Sequence, residues 1–180
     1  VESRAIESVE RALEQIKKGG IVILVDDEDR ENEGDMVMAA QDATPQNITV
    51  MANEARGLIC TPMIGDDLDR LGLPMQVKNN TAEHGTAFTV TVDSKFGITT
   101  GISSADRAHT IQLLADLESS AANFVQPGHV FPLRYEEGGV LVRAGHTEGS
   151  VDLVRLAGKH PAAVICEILN DDGTMARRPQ

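Results

Sequence analysis

The apolar residues of the 180-residue chain fall into alternating helical and extended patterns. Ile6, Val9, Leu13 and Ile16 recur at spacings of three and four, which puts them on one helical face. Ser3 can cap that helix, Lys17 and Lys18 suit its negative end, and Gly19-Gly20 stops it. Two apolar runs, residues 21–25 and 36–40, read as buried strands. Thr44-Pro45 opens a second helix, with Ile48, Met51, Ala52 and Ala55 inward and Gly57 at its end. Residues 58–60 form a short strand broken by Pro62, and residues 66–71 a helical turn. A polar stretch, 76–85, reads as flexible, and the alternating Thr, Phe and Val of 86–92 as a strand leading to a turn at 93–97. Ser103 and Asp106 fit a capping box for a helix to Ala115, with Ile111, Leu114 and Ala115 inward. Pro127-Gly128 predicts a turn that presents His129, followed by short strands at 130–131 and 140–142. Thr147 caps a helix from Glu148 to Ala157 that Gly158 ends. The run 162–169 is apolar except at Glu167, and a turn follows at 170–173. Strands and helices mix without a regular βαβ repeat, which predicts an α+β fold: one domain, residues 1–180, with a mixed β-sheet flanked by helices.

Between the first two strands lies Val25 to Asp35, VDDEDRENEGD, in which seven of eleven residues are acidic and one is Arg30. Like charges this close repel, so the loop should be poorly ordered until a cation arrives, and a metal ion is the natural candidate. A charge run is ordinarily a solvated face, but this one is pinned between two buried strands and carries an arginine. It is not an EF-hand: Asn32 stands where that loop needs Gly, and Met38 where it needs the bidentate Glu.

Composition narrows the partners. A formal net charge of -12 argues against nucleic acid or an anionic membrane surface. It leaves room for a small anion held by a few local cations. With no Trp, one Tyr and four Phe, the core must be aliphatic. Two distant cysteines, Cys60 and Cys166, give no CxxC zinc spacing and read as reduced thiols. Neither a secretion-type leader nor a membrane-length apolar run is visible, so the expected location is cytoplasmic. Dinucleotide and P-loop fingerprints are absent.

Further chemistry sits elsewhere in the chain. Arg143, Ala144, Gly145, His146 and Thr147 lead into a helix whose free amides attract anions. Arg143 can hold a phosphate through two parallel bonds, Gly145 permits close backbone approach, and His146 can ligate a metal. The same residues also suit a capped helix with a surface Arg and His. Histidine as a residue type suits proton transfer, so His129 could serve as acid or base, or simply face solvent. Glu167 either points outward from its strand or is buried and paired, where a raised pKa would suit proton transfer. Cys60 lines a site or the core, and Cys166 belongs to the core. Together the parts describe metal-assisted chemistry on a small phosphorylated substrate.

The segments DDEDRENEGD, GLICTP, HGTAFTVTVD, GISSADRA, QPGHVFPLR, RAGHTEGSVDLVRLAG and PAAVICEILNDDGTMAR resemble one family, 3,4-dihydroxy-2-butanone-4-phosphate synthase of riboflavin biosynthesis. The resemblance runs from the first strand to the last residue. It implies a homodimeric carbon–carbon lyase with sites near the subunit interface, dependent on Mg²⁺ with Mn²⁺ as an alternative. The family converts D-ribulose 5-phosphate to 3,4-dihydroxy-2-butanone 4-phosphate and formate through a metal-stabilised enediolate. By motif, Glu31 and His146 resemble its metal ligands. Arg30, Glu31, Asp35, Arg143, Ala144, Gly145, His146, Thr147 and Glu167 resemble its substrate contacts. His129 and Glu167 resemble its residues essential for catalysis, and Glu28 and Cys60 occupy matching positions near the substrate. Two departures stand out. Gln126 replaces the family's usual Arg, and the family normally continues past this point with a helix and a strand. In some organisms the synthase is fused to GTP cyclohydrolase II.

Overall fold

A computed structural model describes the backbone of residues 2–177 and the side chains of residues 6–177. Six strands form one mixed sheet: β1 (Val22–Val25), β2 (Gly34–Ala39), β3 (Cys60–Met63), β4 (Val92–Ser94), β5 (Phe124–Arg134) and β6 (Ala163–Glu167), in the order β1-β2-β6-β3-β5-β4. Only β3 and β5 run parallel; the other neighbours are antiparallel. Among the described residues, five α-helices flank the sheet: α1 (Glu2–Lys17), α2 (Pro45–Val50), α3 (Gly65–Arg70), α4 (Ser104–Leu114) and α5 (His146–Leu156). This is the expected α+β architecture with a mixed sheet.

The two-residue pleat decides which side chains meet which helices. Met36, Met38, Val164 and Cys166 face a core with Ile48, Met51, Leu68, Ile111 and Leu114 from α2, α3 and α4 and the turn after α2. The alternate residues face the other way. Ala39 and Ala163 pack with Ile16 of α1 and Val154 of α5, while Val37 and Ile165 pack with Cys60 and Leu133. Continuing that alternation to the strand ends puts Asp35 and Glu167 on the same face, beyond Val37 and Ile165. Hydrophobic burial thus fixes the register, and the register delivers two carboxylates side by side.

Several sequence expectations change. Ser3 lies within α1 rather than capping it. Leu13 and Ile16 pack as expected, but Ile6 and Val9 are exposed because none of the three core clusters extends to that half of the helix. Arg56, with φ +70, ends the helical turn of residues 51–55, one residue before Gly57. Pro62 does not break β3; the strand runs through it, beside β5. Residues 86–92 form no continuous strand. The amides of Thr89 and Val90 bond in turn to Pro132 and Pro74, so the segment alternates between two neighbours. Asp93 and Ser94 belong to β4, which shortens the expected turn. The capping box at Ser103 is half made: its hydroxyl accepts from the Asp106 amide, while the Asp106 carboxylate turns to Thr99 and Gly101. Val140 and Leu141 lie in a 3-10 turn, not a strand, opened by Gly138 and Gly139 in left-handed conformations, with Leu141 facing solvent. Gly145, not Thr147, is the N-cap of α5, which begins at His146.

The expected turn at Pro127-Gly128 is a bulge inside the continuous strand β5, where the pairing with β4 shifts register between Val92 and Asp93. A Cβ on Gly128 would come within 2.0 Å of the Val92 carbonyl carbon, so only glycine fits this close crossing.

Candidate active site

At the shared end of β2, β6 and β3, next to the start of α5, a narrow cleft of about 90 Å³ gathers most of the expected residues. Arg30, Glu31, Asp35, Cys60, Arg143, His146, Thr147 and Glu167 all line it, together with Glu33, Thr86 and Phe88. Eight residues singled out in the sequence, from four separate segments, thus meet in one cleft.

The acidic loop is folded rather than splayed. Asp26, the first residue after β1, accepts hydrogen bonds from the amides of Glu33 (2.8 Å) and Glu31 (3.0 Å) and from Arg30 Nη1 (2.9 Å). Arg30 Nη2 also meets Glu31 Oε1 at 3.0 Å, so one guanidinium bridges two of the carboxylates that would otherwise repel. Burial works against ionising Asp26, but those two amides and Arg30 outweigh it and hold its carboxyl below the ordinary aspartate range.

Asp26, Glu31 and His146 each offer one ligand atom within 4.8 Å of the others. Two carboxylates and an imidazole suit a divalent cation that keeps water or substrate oxygens in its remaining positions. Asp26 is the ligand candidate that the sequence reading missed. Its signal was its place directly after a strand, where a short acceptor can close a loop on itself. His146 is buried, and its Nε2 lies 3.2 Å from the carbonyl oxygen of Glu33.

Asp35 and Glu167 form the floor. Asp35 is 2% exposed, and its Oδ1 is buried with no hydrogen-bond partner. Burial, reinforced by the charges of Glu167, Glu33, Glu31 and Asp26, pushes its pKa up to about 8. Glu167, half-buried, accepts from the Leu58 amide at 2.8 Å. Gly57 makes this contact feasible: a Cβ there would lie 2.6 Å from Glu167 Oε2. Cys60 is both core and cleft lining, and burial raises its thiol far above the usual range. Cys166 is wholly buried, as expected, with its thiol pushed up to about 12 by burial.

Arg143 stands at the entrance to α5. Its Nη1 donates to Glu148 Oε2 at 2.7 Å and its Nη2 to the His84 carbonyl at 3.0 Å. Glu148, 1% exposed, is a second residue the sequence did not single out; it orients the arginine. Gly145 is buried and Ala144 exposed, and neither lines the cleft.

Two expected residues lie elsewhere. Glu28 is exposed and does not line the cleft. His129 lies on β5, on the far side of β3 from β6, and does not line the cleft. Its Nδ1 meets Asp93 Oδ2 at 2.7 Å and its amide donates to Asp93 Oδ1 at 2.9 Å.

This architecture defines an α+β protein whose sheet end gathers a triad of side chains that could hold a cation, two carboxyls and an arginine at a helix start. The chain belongs to the 3,4-dihydroxy-2-butanone 4-phosphate synthase family, whose sequence model matches residues 10–180. It is 57% identical over 175 residues to the 3,4-dihydroxy-2-butanone 4-phosphate synthase of Neisseria meningitidis, covering 97% of this chain and 48% of that one. It is 56% identical over 175 residues to the Agrobacterium fabrum synthase, covering 97% and 82%. The chain thus spans about half the length of several curated relatives it matches. Among solved structures, a two-domain synthase from A. baumannii superposes with TM-score 0.91 at 50% identity, over 94% of this chain and 50% of that one. A synthase in complex with two magnesium ions gives 0.89 at 42% identity, over 95% and 82%. Among the described residues no helix is long and apolar enough to cross a membrane.

Proposed function

We propose that this chain carries the synthase reaction of its family: conversion of D-ribulose 5-phosphate to 3,4-dihydroxy-2-butanone 4-phosphate and formate, a carbon–carbon lyase step of riboflavin biosynthesis. The observation that carries the reading is the convergence, in one cleft of a family member, of Glu31 and His146 with Arg30, Asp35, Arg143, Thr147 and Glu167.

Asp26, Glu31 and His146 would hold Mg²⁺, with Mn²⁺ as the alternative. When bound, the ion would draw electron density from substrate oxygens and ease loss of the proton beside the ketone. The remaining steps belong to side chains. Arg143 and Thr147, at the positive end of α5, hold the phosphate. Glu167, oriented by the Leu58 amide, accepts the first proton. Asp35, whose carboxyl is held by burial above the ordinary aspartate range, supplies the acid for loss of a hydroxyl as water. The skeleton then rearranges, and a water molecule adds to the carbon that is cleaved away as formate, which replaces the water lost in the previous step.

A cleft of about 90 Å³ is smaller than the few hundred Å³ of an ordinary ligand pocket. The acidic loop therefore moves outward to admit substrate and returns as a lid over it. His129 reaches such a site from a second copy of the chain, which makes the working unit a homodimer.

The test is formate release from ribulose 5-phosphate with Mg²⁺, with Mn²⁺ and with EDTA. Formate that requires the divalent ion supports the reading. An altered pentose phosphate without formate would identify an isomerase instead.

A further inference from the structure

The segment after β6 makes a tight hairpin that brings a second arginine to the acidic loop. The Asn170 amide donates to the Thr174 carbonyl at 2.8 Å, and Gly173, at φ +85, closes the turn. Met175 then bridges back to Leu169, and the Ala176 amide donates to the Ile168 carbonyl at 3.0 Å. Arg177 is thereby carried alongside the loop. Its Nη1 meets Glu33 Oε1 at 2.9 Å and lies 3.4 Å from the Asn32 carbonyl oxygen.

We infer that Arg177 is a positioning residue for the cation-binding loop, a latch that holds residues 26–33 in the shape that brings Asp26 and Glu31 to His146. The inference rests on the metal reading above. Glu33 is the hub of the argument. Its amide closes the loop on Asp26, its carbonyl oxygen lies 3.2 Å from His146 Nε2, and its side chain is the one Arg177 grips. Asn32 beside it holds a left-handed φ of +52, which asparagine tolerates better than most non-glycine residues and which turns the chain sharply just before Glu33. The loop also carries more negative charge than Arg30 can balance, since Arg30 already serves Asp26 and Glu31. Arg177 supplies counter-charge to Glu33 from outside the loop; it does not line the substrate cleft but shares with Glu33 the lining of a larger cavity beside Ile23, Arg56 and Ile168. Removing it leaves Glu33 repelled by its neighbours and weakens the turn that presents the metal ligands.

The test compares the parent chain with Arg177→Gln, Arg177→Lys and Glu33→Gln, each checked for an intact fold by circular dichroism. Hydrogen exchange is read at the amides of Glu31 and Glu33, and Mn²⁺ affinity is measured without substrate by electron paramagnetic resonance. Faster exchange at both amides in Arg177→Gln and in Glu33→Gln, with Mn²⁺ binding weakened about threefold by Arg177→Gln, supports the latch; the partly exposed ion pair allows an effect of that size. Arg177→Lys, which keeps the charge, should recover most of both. Unchanged exchange in Arg177→Gln and Glu33→Gln overturns the latch. If the parent itself binds no Mn²⁺, the metal reading fails, and exchange at the two amides still decides whether Arg177 holds the loop.

Discussion

Asp35 and Glu167 face each other as paired residues on antiparallel neighbours β2 and β6, on the same side of the sheet. Their surroundings divide them. Glu167 receives a backbone amide from Leu58, whereas Asp35 Oδ1 is buried with no donor. A buried carboxyl beside another carboxylate is harder to ionise. One pair of like residues thus sits in two different environments.

The first prediction concerns stability and pH. Asp35 is raised to about 8 in the folded chain, and unfolding returns it to an ordinary aspartate value. Between those two values the folded state binds the extra proton, so its contribution is fully present below about pH 4 and is lost as pH rises towards 8. Metal-free protein should therefore be less stable at pH 8 than at pH 5. Asp35→Asn should flatten this difference and match or exceed the parent at pH 8, by up to a few kcal/mol. Urea unfolding at both pH values in EDTA checks it; equal slopes for parent and variant would count against a protonated Asp35.

The second prediction separates the acid–base function of Glu167 from its placement. Glu167→Gln keeps the Leu58 contact but cannot take a proton, so turnover should fall on the order of 10²–10⁴-fold with the fold intact. Gly57→Ala acts through position alone, because the new methyl would press on the Glu167 backbone oxygen at 2.4 Å and its side chain at 2.6 Å. It should lower kcat and also destabilise the chain by about 1–3 kcal/mol. Formate kinetics and thermal melts on the two variants distinguish these signatures. Near-parent turnover in Glu167→Gln would remove Glu167 from the chemistry.

What the sequence made legible follows a physical divide. Local signals carried far: the Thr44 cap, whose hydroxyl accepts from the Asn47 amide, and the apolar faces of α2 and α4 needed only short-range rules. The cleft residues were named because their motifs were long and their types chemically unusual. Glu148 and Asp26 escaped because their roles are relational: each carboxylate matters for the groups it holds, Arg143 in one case and the loop amides in the other. The strand through Pro127 and the 3-10 turn at Val140 were misread because proline and β-branched residues signal the opposite locally, and the partner strand decides.

The third prediction addresses metal. His146→Ala and Asp26→Asn should each weaken Mn²⁺ binding at least tenfold, His146 by losing a ligand and Asp26 by losing charge at the site and in the loop turn. Asp27→Asn, on the exposed side of the loop, should change affinity little. Titration by calorimetry or electron paramagnetic resonance reads all three. If Asp27→Asn proved as damaging as Asp26→Asn, total loop charge rather than ligand geometry would govern binding.

The last prediction follows from where His129 sits. Its ring is tied through Nδ1 to Asp93, which accepts both that contact and the His129 amide, and Gly101 packs so closely that a Cβ would lie 2.5 Å from Nδ1 and 2.3 Å from Asp93 Oδ2. A carboxylate at Nδ1 favours the tautomer with Nε2 free to accept a proton. Yet the cleft of the same chain does not include His129. If two copies share their sites, His129→Gln and Glu167→Gln should each be inactive alone, yet regain activity when refolded together. Random pairing leaves one intact site in half of the dimers, so about a quarter of parent activity should return. Asp93→Asn should lower kcat about tenfold or more and shift the pH–rate profile, with little effect on KM. Formate assays on mixed and unmixed samples, with mass measurement in solution, give the answer: no recovery on mixing, from proteins that demonstrably exchange subunits, would confine each site to a single chain.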